Sequence, residues 1–183
     1  MPTSIRAVTG LLLLLPACAW GIELGSVQVR GVEGDALGNV QQALSLTQLP
    51  DADRRDLSEA RLSYLVRRVP DEVDRALQPF GYYGASADTR IERAGDMASV
   101  VVTISPGEPV KVTSLEATLE GAAASDAVIV KAIRAFRPRQ GAVLDHRRYE
   151  ASKLTIQRAL LARGYFDAEL KRHRVEGSRQ LRE

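Results

Sequence analysis

The chain has 183 residues, 25 Lys and Arg against 23 Asp and Glu, one cysteine and two histidines. With both signs mixed along its length, that near-neutral balance excludes the basic face of a nucleic-acid binder. One cysteine excludes an internal disulfide framework, and two histidines on different predicted elements are too sparse a donor set for a structural metal site.

Residues 1–19 carry the pattern of a cleaved export signal: Arg6 as the positive start, an apolar run from Leu11 to Leu15, and Ala17 and Ala19 in the small-residue cleavage positions. The run is too short to span a bilayer as a mature helix. Cys18 is the one ambiguity, because a lipidated cysteine would anchor the chain to a membrane; Pro16 fits that signal poorly, and the plain reading is that Cys18 leaves with the leader. Loss of Arg6 leaves 24 basic side chains against 23 acidic ones.

Ser26–Val32 alternates as a half-buried strand would, with Val27, Val29 and Val32 apolar. Leu37, Val40 and Leu44 then repeat at helical spacing to about Leu46, and Pro50–Asp53 reads as a polar loop. Asp56 or Ser58 is placed to cap a helix carrying Leu62, Leu65, Val66 and Val69. Pro70 interrupts that pattern, and Asp71 and Glu72 behind it read as the acidic start of a new turn. The stripe continues through Val73, Ala76, Leu77 and Phe80 until Gly81 stops it. Tyr82–Arg93 and Met97–Ile104 are expected as strands around an Ala94-Gly95-Asp96 turn.

After a short boundary at Ser105–Pro109 the order begins again. Val110–Leu119 is expected as a strand. A helix capped by Ser125 follows, turning Val128, Ile129, Ala132 and Ile133 inward. Arg137–Gly141 is a loop, and Asp145 caps a long helix to Arg163 with Tyr149, Leu154, Ile156, Leu160 and Leu161 as core candidates. Gly164 ends that helix, Tyr165–Val175 is expected as a strand and Glu176-Gly177-Ser178 as a turn.

The two halves share a word. Ala76 to Ala85, containing Gly81-Tyr82-Tyr83, returns 83 residues later as Ala159 to Ala168, containing Gly164-Tyr165-Phe166. A period of that size implies two copies of one small α+β domain, each ordered β-α-α-β-β. The expected division is a signal at 1–19, a first unit at 20–106 and a second at 107–183, whose last strand would lie past Glu183 and make this an N-terminal piece of a longer protein.

An export signal followed by tandem units of this order, each running from a helix into Gly-Tyr-[Tyr/Phe], resembles POTRA domains of the Omp85/BamA superfamily. Ala76–Tyr83 and the junction Val102–Val110 are similar to the first POTRA domain of TamA-type proteins, and Tyr149–Leu154 with Arg163–Asp167 to the second. The resemblance implies three-stranded mixed sheets packed against two helices, on the periplasmic side of a Gram-negative outer membrane. It also implies a docking role in inserting autotransporters and other β-barrels, an inner-membrane-anchored TamB-like partner, and membrane contact through a C-terminal barrel absent from these residues. The arm of a general barrel-assembly subunit, that of a two-partner secretion transporter, and a free or lipid-anchored periplasmic binding module are the competing readings.

No Gly-x-Ser-x-Gly, dinucleotide-binding or Walker-type motif is present, so no catalytic residue, cofactor or metal is assigned and no enzyme is expected. The Gly-Tyr pairs read as helix stops whose aromatics cover the core, His146 and His173 as solvated, and Lys171–Arg174 as a solvated strand face. Asp51, Asp53, Asp56 and Glu59, interleaved with Arg54 and Arg55, read as a loop and helix start. What remains is backbone: a small sheet has edges that accept a partner's strand, and Met97–Ile104 is the segment expected to do so in the first unit.

Overall fold

The computed structural model describes residues 21–169; the expected export signal, the part of the last expected strand from Leu170 onward, its turn and His173 lie outside them. The first unit has the expected α+β class, with one short helix, Asp51–Arg55, added to the expected β-α-α-β-β order. Strand β1 (Glu23–Arg30) leads through α1 (Gly34–Ala43), α2 (Asp51–Arg55) and α3 (Glu59–Leu77) to β2 (Ser86–Ala94) and β3 (Met97–Ser105). The sheet order is β1-β3-β2, with β1 parallel to β3 and β2 antiparallel to it. β3 is central and correspondingly β-branched: Val100 pairs with Val27 on one side and Ile91 on the other.

One apolar core joins that sheet to α1 and α3. Val40, Leu44, Leu62, Val69, Val73, Leu77, Val100 and Val102 are fully buried, each worth about 1.5–3 kcal/mol of transfer from water. α3 buries residues at positions 62, 65, 69, 72, 73, 76 and 77, an apolar stripe broken only by Glu72.

Two local expectations change here, and one open alternative is decided. Pro50–Asp53 is not a loop, because α2 begins at Asp51 with Asp51 and Asp53 in its first turn and Arg54 and Arg55 in its last, charges placed to suit the helix dipole. Ser58, not Asp56, caps α3, accepting from the Arg61 amide at 3.2 Å. Pro70 does not restart the helix either: α3 runs through it without a break, held by the buried stripe on both sides. Glu72 therefore serves no helix start. Only 6% exposed, it accepts the Ser45 amide at 2.9 Å and the Ser45 hydroxyl at 2.5 Å, with Arg68 at 3.1 Å, so a carboxylate inside the core finds the partners that burial demands.

The second unit is helical in the described residues. A 3-10 turn (Ala122–Ser125) precedes α4 (Ala127–Arg134), and α5 (His146–Ala162) follows. Ile129, Phe136, Leu144 and Ile156 are buried between them, with the Phe136 and Tyr149 rings edge to face at 5.5 Å. Asp126 rather than Ser125 caps α4, its carboxylate accepting from Val128 at 2.9 Å while Ser125 is spent in the 3-10 turn. Asp145 caps α5 as expected, accepting from the Arg147 and Arg148 amides.

Four further expectations fail in this unit. The strand expected at Val110–Leu119 contracts to one bridge, Lys111 with Val143, and 165–169 form a turn rather than a strand. Leu154 and Leu161 are 45% and 54% exposed. At about 100° per residue they lie on the face of α5 opposite Ile156. Val128, expected to face inward on α4, is 51% exposed.

Candidate functional site

The repeated word builds the same corner twice. At the end of the first unit's helices the Gly81 amide donates to Gln78 O at 2.9 Å and the Tyr82 amide to Leu77 O at 3.3 Å. Eighty-three residues later Gly164 donates to Leu161 O and Tyr165 to Leu160 O, both at 3.0 Å. Both glycines are left-handed, with φ of 87° and 85°. This pair of bonds is the Schellman helix stop, whose turning residue must tolerate positive φ.

The aromatics behind the two glycines diverge. Tyr82 packs on the first unit's core. Tyr83 turns instead to the second unit, where its hydroxyl is hydrogen-bonded to His146 Nε2 and the two rings meet edge to face at 6.2 Å; partial burial pushes the Tyr83 phenol up from its ordinary range. His146 is therefore not the solvated histidine expected of it. Tyr165 reaches Asp126 through its hydroxyl at 3.3 Å. Phe166 is 76% exposed and covers no core.

Around Tyr83 the units form a joint. The Gly81 carbonyl accepts the Val110 amide at 2.8 Å, and the Val110 carbonyl accepts the Leu144 amide at 2.8 Å. Arg147, one residue past His146, sets its guanidinium 4.0 Å over the Phe80 ring and pairs with Asp35 of α1 at 3.1 Å. It also pairs with Asp145 at 3.2 Å. Burial pushes the Asp145 carboxyl up, but the Arg148 and Arg147 amides and the Arg147 guanidinium outweigh it and hold the group below the usual carboxylate range. Asp126 is held low chiefly by its hydrogen bond from Arg163, at 2.8 Å.

The second candidate feature is the sheet edge. Met97–Ile104, expected to receive a partner's strand, is β3, and both its sides are taken by β1 and β2. Of the outer strands, β1 is partly closed. Ile22 bridges Leu57 through backbone bonds of 2.8 and 2.9 Å, and Arg54 Nη2 occupies the Gly25 carbonyl at 2.5 Å. Among the described residues nothing pairs with the outer side of β2, whose exposed positions include Asp88, Arg90 and Glu92. Charges on an edge limit indiscriminate strand pairing without removing the backbone groups that a specific partner could use.

No group of three or more His, Cys, Asp or Glu side chains able to hold a metal occurs among the described residues, and no described helix is long and apolar enough to cross a membrane. Sequence reasoning missed Glu72, Asp126 and the joint. Asp126 alone carried a readable signal, an acidic residue directly before the apolar run of α4, which caps as well as serine does.

Two family models match the chain in turn. Residues 26–106 match the family model described as POTRA domain TamA domain 1, and residues 116–182 match the POTRA model described as surface antigen variable number repeat. Among solved structures, the crystal structure of POTRA domains 3–5 of Haemophilus influenzae BamA is similar at 15% identity and a TM-score of 0.37, over 76% of this chain. The chain spans half the length of that structure. The chain belongs to the POTRA family: it carries two POTRA domains, the first of the TamA domain 1 type.

Proposed function

We propose that this chain is the periplasmic arm of a TamA-type outer-membrane assembly factor. In this reading residues 1–19 direct export and are cleaved after Ala19, and domains 20–106 and 107–183 follow. POTRA domains are non-catalytic protein-interaction modules. The clients are unfolded outer-membrane β-barrels and autotransporters, and the partner is an inner-membrane-anchored TamB-like protein. The observation that carries the reading is the TamA domain 1 match over residues 26–106, a stretch that contains the whole three-stranded sheet apart from the first residues of β1.

The β2 edge supplies the means. An extended client segment adding to it gains main-chain hydrogen bonds that do not depend on client sequence, which suits a module handling many unfolded barrels. Photo-crosslinking residues placed at Ser86, Asp88 and Arg90 in cells test this. Crosslinks to barrel or autotransporter clients from β2, and far fewer from Thr103 on the same face of central β3, are the expected result. Equal yields from Thr103, or none from β2, would overturn strand addition at this edge.

A further inference from the structure

The two repeated corners are alike in backbone and opposite in surroundings. A Cβ built on Gly164 meets nothing within 4 Å, whereas one on Gly81 would stand 2.6 Å from the Leu144 carbonyl oxygen and 3.1 Å from Val143 Cγ1. The second unit is thus seated directly on Gly81, and no side chain fits between them. Around that contact run the backbone bonds from Gly81 through Val110 to Leu144. Beside it lie the Tyr83–His146 hydrogen bond, the Arg147–Phe80 stack and the Arg147–Asp35 ion pair. From the second unit, Val110 supplies one of these contacts, and Val143, Leu144, His146 and Arg147, in the stretch that opens α5, supply the rest.

We infer that Leu144–Arg147 is a latch that closes on Gly81 and locks the two domains into one rigid arm. The short segment Ser105–Pro109 keeps the domains close but leaves their angle free; the latch sets the angle. Glycine is required at 81 twice over, for the positive φ of the helix stop and for the close approach of Leu144, while Gly164 meets only the first requirement. This inference does not depend on what the arm binds.

The matched glycines make the test. The mature chain, which lacks cysteine once residues 1–19 are gone, takes spin labels at Arg90→Cys on β2 and Gln157→Cys on α5, both exposed. Their distance distribution is then recorded by pulsed electron resonance. The expected result is a single narrow peak, with any open population below about 10%. Gly81→Ala replaces that peak with a broad or displaced distribution. Gly164→Ala, carrying the same left-handed strain without the contact, leaves it unchanged. A broad distribution in the parent chain would overturn the latch, as would Gly81→Ala and Gly164→Ala giving the same trace. Should Gly81→Ala fail to fold, the pair His146→Ala with Arg147→Ala, which removes no core side chain, decides it: widening supports the latch and an unchanged narrow peak refutes it.

Discussion

Glu72 shows most sharply how one residue can reverse its reading between sequence and structure. Behind Pro70 it looks like the acid of a new helix start. In the fold it is the one charged side chain that is buried among the described residues, tying the middle of α3 to the turn after α1 through both groups of Ser45. Glu72→Ala leaves the half-buried Ser45 amide and hydroxyl without their acceptor, and a donor left unsatisfied in burial costs about 1–3 kcal/mol. Urea unfolding should show that loss as a lower midpoint with little change in slope. Glu72→Gln, which keeps an acceptor, should recover part of it. Nothing in the local pattern could have placed Ser45 beside position 72, because the contact spans 27 residues of sequence and forms only when α1 and α3 pack together.

Elements were legible where their signal was local and strong. β3 followed from its β-branched run, the length of α5 from Asp145 and Gly164, and both helix stops from the repeated word. α3 departs from expectation at Pro70 because packing of the buried stripe on either side of it overrides the proline's intrinsic tendency to break a helix. On α5 the error was one of phase. Leu154 and Leu161 fall 83 residues after Asp71 of α3 and Gln78 just past its end, both polar, and share the outward face of α5. The inward stripe is the one holding Ile156, 5% exposed. Leu161→Gln, which copies the first unit's residue, should leave the unfolding free energy unchanged to within about 0.5 kcal/mol. Ile156→Ala should cost about 2–5 kcal/mol by opening a cavity. Equal effects from the two substitutions would mean that the outward face of α5 is covered after all.

At the scale of the whole molecule the sequence announced two units and a short connection, but not the joint, which is built from residues as far apart as Asp35 and Arg147 and from a histidine that looked solvated. Its weak point is the start of α5. Asp145 caps that helix and pairs with Arg147, which in turn reaches Phe80 and Asp35 across the joint. Because the folded Asp145 carboxyl is held below its unfolded range, its contribution is fully present above the unfolded pKa, about 3.9. That contribution is lost as pH falls through the lower folded value. Acid should therefore loosen the first turn of α5, and the joint with it, before neutral conditions show any change. The distance between labels on β2 and α5 should stay fixed from pH 7 to about 5 and spread as the pH falls below about 4. Asp145→Asn keeps an acceptor for the amides but gives up the charge facing Arg147 and Arg148, so it should start out partly loosened at neutral pH and respond less to acid. If Asp145→Asn tracks the parent chain across the whole range, the acid sensitivity belongs to other carboxylates and the start of α5 is not where the arm yields.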